Sequence, residues 1–327
     1  MPWDGWSFPR YLAAKRTVDD RALDRRVWGR MGELIAPARP GARVRVLEAG
    51  CGEGAMLERL LADGLDGGAV APRPLLRGAD YTALDADGDN LAALRARLPG
   101  WARRWGFEVG EAGGGTLLEL SNAGRWTAVR PVHADLFAHL APGAGGEAPD
   151  DGADASPASG AAFDLVVAHA FLDVVDAERA VPLLLAALRP GGLLYAPITF
   201  DGVTTFEPPA VPEVDDAVVR LYDAASGGGR PAGRRLPGLL ARHGAEVVAA
   251  GGSAWVVHPS ARGYPADEAY FLHAILHVVE ETLRGRPGLD PAGLAAWVAV
   301  RRRQVDRGEL VYVAHQLDVL ARAPAAS

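Results

Sequence analysis

The sequence predicts an α/β protein built on a doubly wound, mostly parallel sheet, and three observations carry this prediction. Short apolar segments of strand length alternate along the chain with segments whose apolar residues recur at helical spacing. A glycine-rich turn follows the first apolar segment, at residues 50–54, where a strand passes into a helix. Hydrophobic residues make up 49% of the 327 residues, which permits one elaborated domain or two small ones with a large core.

The predicted elements begin with a helix and continue as alternating strands and helices. Residues 17–37 are predicted to be helical, with a capping-box-like start at Thr17. The apolar residues Val27, Met31 and Leu34 recur there at helical spacing. The predicted strands are 44–49, 81–84, a segment ending at Val132, 163–168, 193–200, 245–257 and 309–320. The further predicted helices are 54–63, 181–188, 235–243, 266–284 and 290–306.

Two segments are predicted as loops inserted between these elements. Residues 139–162 are rich in Ala, Gly, Pro, Asp and Ser and lack periodicity, which indicates a flexible surface insertion. Residues 65–77 carry glycines and prolines and lengthen the connection between the first two strands. The expected organisation is an N-terminal helical cap over 1–40, a core over 41–260, a helical lid over 261–308, and a last strand and tail over 309–327.

Composition and charge argue against several classes of function. The net charge is −7 and no long basic run is present, so nucleic acid is not an expected partner. No apolar stretch reaches about 18 residues, and the first residues do not resemble a signal peptide. The single cysteine, Cys51, excludes an internal disulfide and a cysteine-only zinc site. A cytoplasmic protein without a membrane span is therefore expected.

The glycine-rich turn predicts a nucleotide-type site. Gly50, Gly52 and Gly54 let a ligand lie against bare backbone, and the following helix start offers N–H groups and a positive dipole end. The spacing from Gly50 to Ala55 also fits the nicotinamide dinucleotide fingerprint, so the turn alone leaves two cofactors open. Asp85 ends the second strand, where a carboxylate can accept hydrogen bonds from ribose hydroxyls in either case.

Five segments in chain order resemble the motifs of the class I S-adenosylmethionine (SAM) dependent methyltransferases. They are 44–56, 84–87, 132–137, 163–173 and the Leu-x-Pro-Gly-Gly turn within 188–195. The flanking segments 10–23, 200–204 and 314–318 are similar to a poorly characterised bacterial and archaeal group of these enzymes. The resemblance implies a Rossmann-like seven-stranded sheet with an antiparallel last strand, an N-terminal helical cap and an inserted helix pair.

The resemblance also implies SAM as the cofactor and assigns its parts to residues of this chain. The glycine turn would approach the methionine part, with Glu48 beneath it, either fixing the turn or meeting the ligand's amino group. In the motif that Asp135 and Leu136 match, the acid accepts a hydrogen bond from the adenine amino group. The backbone N–H of the following residue donates to a ring nitrogen of the adenine. The expected cofactor-binding residues are Tyr11, Lys15, Glu48, Gly50, Cys51, Gly52, Asp85, Ala86, Asp135, Leu136 and His169.

The expected catalytic residues are His169 and Asp201. His169 follows the fourth strand and could contact SAM, hold the substrate, take a proton or be structural. Asp201 would shape the acceptor pocket together with Thr199, Tyr270 and the helix pair 266–306.

The only lysine, Lys15, lies four residues after Tyr11 and would share a helical face with it. A compact ammonium group and a phenol suit a carboxylate, so both side chains are expected to face the cofactor or acceptor site. A position on the surface is the alternative for this segment.

The predicted function is methyl transfer from SAM to a small molecule. Two alternatives stay open: a nicotinamide-dependent oxidoreductase, against which Glu48 and Asp135 count, and a non-catalytic SAM-fold binding protein. His273 and His277 have metal-ligand spacing, but no obvious third ligand accompanies them, which favours core or rim positions. Residues 227–235 either bind a carboxylate or phosphate of the substrate or form a plain loop.

Overall fold

The computed structural model describes residues 5–35, 42–62, 75–113, 117–122, 124–141, 163–225 and 231–325. The described helices are α1 Phe8–Ala22, α2 Arg25–Leu34, α3 Ala55–Leu61, α4 Gly88–Arg104, α5 Leu136–His139, α6 Ala177–Ala187, α7 Pro212–Ala225, α8 Ala232–Arg242, α9 Glu268–Leu283 and α10 Pro291–Asp306. The described strands are β1 Val44–Ala49, β2 Gly78–Asp85, β3 Glu108–Ala112, β4 Leu117–Asn122, β5 Arg125–His133, β6 Phe163–Val167, β7 Leu188–Glu207, β8 Glu246–Gly252, β9 Trp255–Val257 and β10 Val311–Arg322. Among these helices, none has the length and apolar character needed to cross a membrane.

The strands form one sheet in the order β3-β4-β5-β2-β1-β6-β7-β10-β8, with β9 paired to β10. Strands β5, β2, β1, β6 and β7 run parallel, whereas β10 is antiparallel to both β7 and β8. The predicted fold class is confirmed, including the antiparallel last strand. The described sheet has ten strands rather than seven, because an antiparallel hairpin, β3–β4, extends one edge and β9 is separate from β8.

The predicted helix over 17–37 is wrong in its bounds. The chain forms α1 and α2 instead, separated at Leu23 and Asp24. The Asp24 side chain accepts hydrogen bonds from the N–H groups of Arg26 and Val27 at 2.9 and 3.0 Å, which starts a second helix. Helix α1 starts after Ser7 and therefore contains Tyr11 and Lys15. Helices α4 and α7 lie in segments for which the sequence predicts no element.

Helices cover both faces of the sheet, and β1 shows why. Val46 belongs to one buried hydrophobic cluster and its neighbour Leu47 to the other, because successive strand residues point to opposite faces. Helix α9 contributes Phe271, and α10 contributes Trp297, to the cluster that contains Val46. Both aromatic side chains have no exposed surface, so these two helices are part of the core.

Candidate functional site

A cavity of about 540 Å³ opens at the carboxyl ends of β1, β2, β5 and β6. The ends of parallel strands meet at one edge of the sheet, which is where such folds bind ligands. Helix α1 covers the cavity with Phe8, Tyr11 and Leu12, and Trp255 of β9 also lines it. The volume lies in the range of small-molecule sites.

Most of the predicted site residues line this cavity. They are Tyr11, Lys15, Gly50, Cys51, Gly52, Asp85, Ala86, Asp135, Leu136 and His169. They come from five separate segments of the chain, and the sheet topology brings them together. Two predicted residues, Glu48 and Asp201, do not line it.

The glycine turn has a backbone that needs glycine. Gly50 and Gly52 have φ values of +67° and +52°, in the left-handed region. A Cβ at Gly50 would also collide with the ring of Phe171, which packs directly on the turn. The Cys51 N–H donates to the Leu84 carbonyl at 3.0 Å. The turn is therefore held against the end of β2, and Phe171 forms part of its cover.

Asp85 connects the glycine turn to the start of α4. Its Oδ2 accepts from the Gly52 N–H at 2.8 Å, and its Oδ1 accepts from the Asp87 N–H at 2.9 Å. The Asn90 amide donates to Oδ1 as well, at 3.2 Å. A carboxylate has about four acceptor positions, so Asp85 retains capacity for a ligand hydroxyl.

Asp135 has a structural contact besides its position on the cavity wall. It precedes the short helix α5, and its Oδ1 accepts a hydrogen bond from the Ala138 N–H at 3.0 Å. The adjacent Leu136 is buried.

Glu48 lies outside the cavity, which corrects the expectation that it binds the cofactor. It is 1% exposed, and the Tyr81 hydroxyl donates to its Oε2 at 2.5 Å. Burial raises the pKa of Glu48 to about 8, although the Tyr81 hydrogen bond and the charge of Arg59 act in the opposite direction. Because Glu48 does not line the cavity and is hydrogen-bonded to Tyr81, its place is in the core.

Asp201 also lies away from the cavity wall, which corrects its assignment as a catalytic residue. Its Oδ1 lies 3.4 Å from Arg234 Nη2, in a partly exposed ion pair. Thr199 is fully buried, with its hydroxyl directed to the Ala196 carbonyl. The Tyr270 hydroxyl accepts a hydrogen bond from the Ser7 N–H at 2.9 Å. These side chains do not form the expected acceptor pocket.

Among the residues that the structure describes, none from 261–308 lines the cavity, so the helix pair is not a lid over it. Helix α9 instead supports α1. The fully buried Glu268 accepts hydrogen bonds from Thr17 at 2.7 Å and from both terminal nitrogens of Arg21 at 2.6 and 2.8 Å. Helix α9 also packs Phe271 edge-on against Trp255, so the pair supports the cavity through α1 and β9.

A buried polar cluster ties α1 to the sheet beside the cavity. The Lys15 ammonium lies 3.2 Å from Asp19, and the Arg59 guanidinium donates to Asp20 at 2.6 Å. The indole N–H of Trp255 donates to Asp19 at 2.8 Å. Although burial raises the pKa of Asp19, its cationic and hydrogen-bonding neighbours lower it below its ordinary value. The two buried carboxylates therefore have cationic partners.

His169 borders this cluster and is neutral near pH 7. Its Nε2 lies 3.4 Å from Asp19 Oδ2, and no well-formed hydrogen bond is made. Burial lowers the pKa of His169 to about 4, although Asp19 raises it. A base with this pKa is poorly matched to neutral pH, so the structure favours His169 as a polar contact over a proton acceptor.

Asp173 lines the cavity, although the sequence provides no specific assignment for it. The turn Phe171–Val174, closed by a 3.0 Å hydrogen bond between its end residues, holds Asp173 after β6. Burial raises the pKa of Asp173 to about 6, against the effect of its own N–H, the Lys15 charge and the Phe200 N–H. The only signal in the sequence is an acid at the end of the segment 163–173.

The other candidate residues are paired elsewhere. His273 lies 3.1 Å from Asp306, and the His277 ring stacks on Trp6 at 4.9 Å between centroids. The described part of the chain contains no group of three His, Cys, Asp or Glu that could hold a metal ion. In the segment 227–235, residues 227–230 lie outside the described residues, and Arg235 pairs with Glu178.

The cavity wall is rich in acceptors and in negative charge. Six carboxyl and three cationic side chains line it among the described residues. Two lining side chains have a buried acceptor without a partner there: Asn90 Oδ1 and Asp173 Oδ1. Unpaired buried acceptors are costly, so the wall complements a ligand that donates hydrogen bonds and carries positive charge.

No family model matches the chain, and no curated protein matches it in sequence. Solved structures do resemble it. A methyltransferase candidate from Bacillus halodurans C-125 has a TM-score of 0.45 and 13% identity, covering 91% of this chain and 98% of its own. Geranyl diphosphate methyltransferase in complex with SAM has a TM-score of 0.39 and 12% identity, covering 99% and 92%. The (4+2)-cyclase SpnF has a TM-score of 0.41 and 18% identity, covering 92% and 81%.

Two of these three neighbours are described as methyltransferases and the third as a cyclase. The functional interpretation therefore depends on the residues of the cavity itself.

Proposed function

We propose that the chain is a SAM-dependent methyltransferase that acts on a small molecule. One observation carries the proposal. A single cavity is lined at once by the turn Gly50–Gly52 and by two carboxylates, Asp85 at the end of β2 and Asp135 after β5. This is the arrangement of glycine backbone and acids that the sequence motifs imply for a nucleoside with an amino-acid part.

The residues present fit SAM. The backbone of Gly50 and Gly52 leaves space for the methionine part, and the remaining acceptor position of Asp85 suits a ribose hydroxyl. Asp135 and Leu136 lie together on the wall, where they would hold the adenine. The unpartnered Asn90 Oδ1, next to Asp85, is available as a further acceptor at the nucleoside end.

Charge favours SAM over a nicotinamide dinucleotide. SAM carries a sulfonium, an ammonium and one carboxylate, whereas a dinucleotide places a diphosphate at the start of the first helix after β1. The cavity wall as a whole carries six carboxyl and three cationic side chains, and this excess of acids attracts a cation rather than a diphosphate.

When bound, SAM supplies an already activated methyl group for in-line displacement. The contribution of the protein is then to align the acceptor with that group and to exclude water. Helix α1 closes the cavity with apolar and aromatic side chains, of which Phe8, Tyr11 and Leu12 line it. A non-catalytic SAM-binding protein would share this geometry, and turnover separates the two.

Titration calorimetry tests the cofactor directly. We expect micromolar binding of SAM and of S-adenosylhomocysteine (SAH), and no measurable heat with NAD. The Asp85→Ala variant should bind SAH roughly tenfold or more weakly, because a charged hydrogen-bond partner is lost. Tight NAD binding without SAH binding would refute the proposal. Methyl transfer to any member of a metabolite panel would distinguish an enzyme from a binding protein.

A further inference from the structure

The Asp173 carboxylate is left incomplete by the rest of the protein. Its Oδ1 is buried and has no hydrogen-bond partner among the described residues, yet Asp173 lines the cavity. A buried acceptor without a partner is costly, and native proteins seldom keep one without a reason. Because the Asp173 side chain lines the cavity, a ligand bound beside it can supply a donor or a positive charge to this carboxyl group.

The cationic side chains near Asp173 are already paired with other carboxylates. Lys15 is paired with Asp19 at 3.2 Å, and Arg59 is paired with Asp20 at 2.6 Å. His169, whose pKa burial lowers to about 4, adds no charge near neutral pH. Once ionised, Asp173 therefore adds one negative charge for which these neighbours hold no spare cation.

Apolar and aromatic side chains line the cavity together with Asp173. Phe171 and Tyr11 line the same cavity. At its rim, Phe8 is 41% exposed and Val174 is 73% exposed, which is unusual for large apolar side chains. Aromatic rings attract cations through their faces, and apolar surface buries a carbon skeleton. A cationic head group on an apolar body fits this end of the cavity.

We propose that Asp173, with Tyr11 and Phe171, forms a subsite for a protonated amine. The inference rests on the proposed function, because it takes SAM and its acceptor as the ligands of the cavity. Two sources share this chemistry: the α-ammonium group of SAM and an amine on the methyl acceptor. Since Glu48 is enclosed in the core, Asp173 is an acidic side chain of the cavity wall that is free to pair with either.

The first experiment separates the amino-acid part of the cofactor from its nucleoside. SAH and 5′-methylthioadenosine, which lacks the amino acid, are titrated into wild-type protein and the Asp173→Asn variant. If the subsite holds the α-ammonium group, the variant binds SAH at least tenfold more weakly and 5′-methylthioadenosine equally well. The matched control is Asp176→Asn, since Asp176 caps α6 outside the cavity and asparagine also caps helices.

The second experiment tests an amine acceptor. The probes 2-phenylethylamine, 2-phenylethanol and phenylacetate, which differ in charge, are titrated into both proteins in the presence of saturating SAH. If the subsite holds an acceptor amine, the amine binds at least tenfold more tightly than the alcohol, and Asp173→Asn removes the difference.

Either result supports the subsite and identifies its source. The inference is overturned if Asp173→Asn still binds SAH and keeps two wild-type affinity ratios, that of SAH to 5′-methylthioadenosine and that of the amine to the alcohol. This result would leave the proposed function intact. Failure of the wild-type protein to bind SAH would overturn both. Thermal unfolding of Asp173→Asn checks that the variant is folded.

Discussion

Lys15 Nζ lies 3.2 Å from Asp19 Oδ2, one turn further along α1, and both side chains are almost fully buried. The only lysine of the chain thus lines the cavity and is also one half of a buried ion pair. Asp19 compensates the charge of Lys15. The structure therefore does not present the free ammonium group for a ligand carboxylate that the sequence predicts.

The first prediction concerns this ion pair. Removing one partner of a buried pair leaves the other charge uncompensated, so Lys15→Met should lower the free energy of unfolding by about 3 kcal/mol or more. Adding Asp19→Asn to Lys15→Met should cost much less than Asp19→Asn costs alone. Chemical denaturation of the four proteins measures the coupling energy.

The control for this cycle is the exposed ion pair of Arg30 and Glu33, whose charged atoms lie 2.7 Å apart. Its coupling energy should stay below about 1 kcal/mol, because solvent screens exposed charges. Additive effects of the Lys15 and Asp19 substitutions would show that the two side chains do not stabilise each other.

The second prediction concerns the pH dependence of stability through Glu48. Its pKa is raised from the ordinary value of 4.5 to about 8 in the folded protein. Between these values the folded protein holds a proton that the unfolded chain has released, so the free energy of unfolding decreases as pH rises. Glu48→Gln should remove this contribution and flatten the curve, measured by denaturation across that pH window.

SAH affinity should be unchanged in Glu48→Gln, because the residue does not line the cavity. The exposed Glu33 provides the matched control, Glu33→Gln, which should keep the wild-type pH slope. A slope that Glu48→Gln leaves intact would mean that Glu48 is ionised in the folded protein.

The third prediction uses the two contacts of Asp135. Asparagine also caps helices, so Asp135→Asn should unfold at the wild-type temperature. The loss of charge should weaken SAH binding about three- to tenfold, since hydrogen bonds to charged acceptors are roughly twice as strong as neutral ones. Asp290→Asn, at the start of α10, is the control that should leave SAH binding unchanged. Equal SAH affinity in both variants would show that the adenine does not bind at Asp135.

The fourth prediction concerns the support of α1 by α9. Glu268→Ala leaves the Thr17 hydroxyl and the Arg21 guanidinium without their acceptor. The free energy of unfolding should fall by about 1–3 kcal/mol. SAH affinity should fall as well, because α1 lines the cavity. Glu280→Ala, on the same helix, should affect SAH binding much less. Normal SAH binding in the Glu268 variant would show that α1 is held in place without α9.

The sequence by itself determined the elements whose signals are local. Strand β1, the glycine turn and the residues that follow β2, β5 and β6 are read from apolar runs, glycines and acids within a few positions. Because parallel strands present their carboxyl ends at one edge, the sequence also determined that Asp85, Asp135 and His169 would lie together.

Only the tertiary structure decided which polar groups are free. Glu48, Asp173 and Asp201 are all acids within or after predicted strands, and nothing local distinguishes them. Packing encloses Glu48 with Tyr81, pairs Asp201 with Arg234, and places Asp173 on the cavity wall with its Oδ1 unpartnered. Burial and pairing depend on residues far apart in the chain, and they set both the charge of an acid and its access to a ligand.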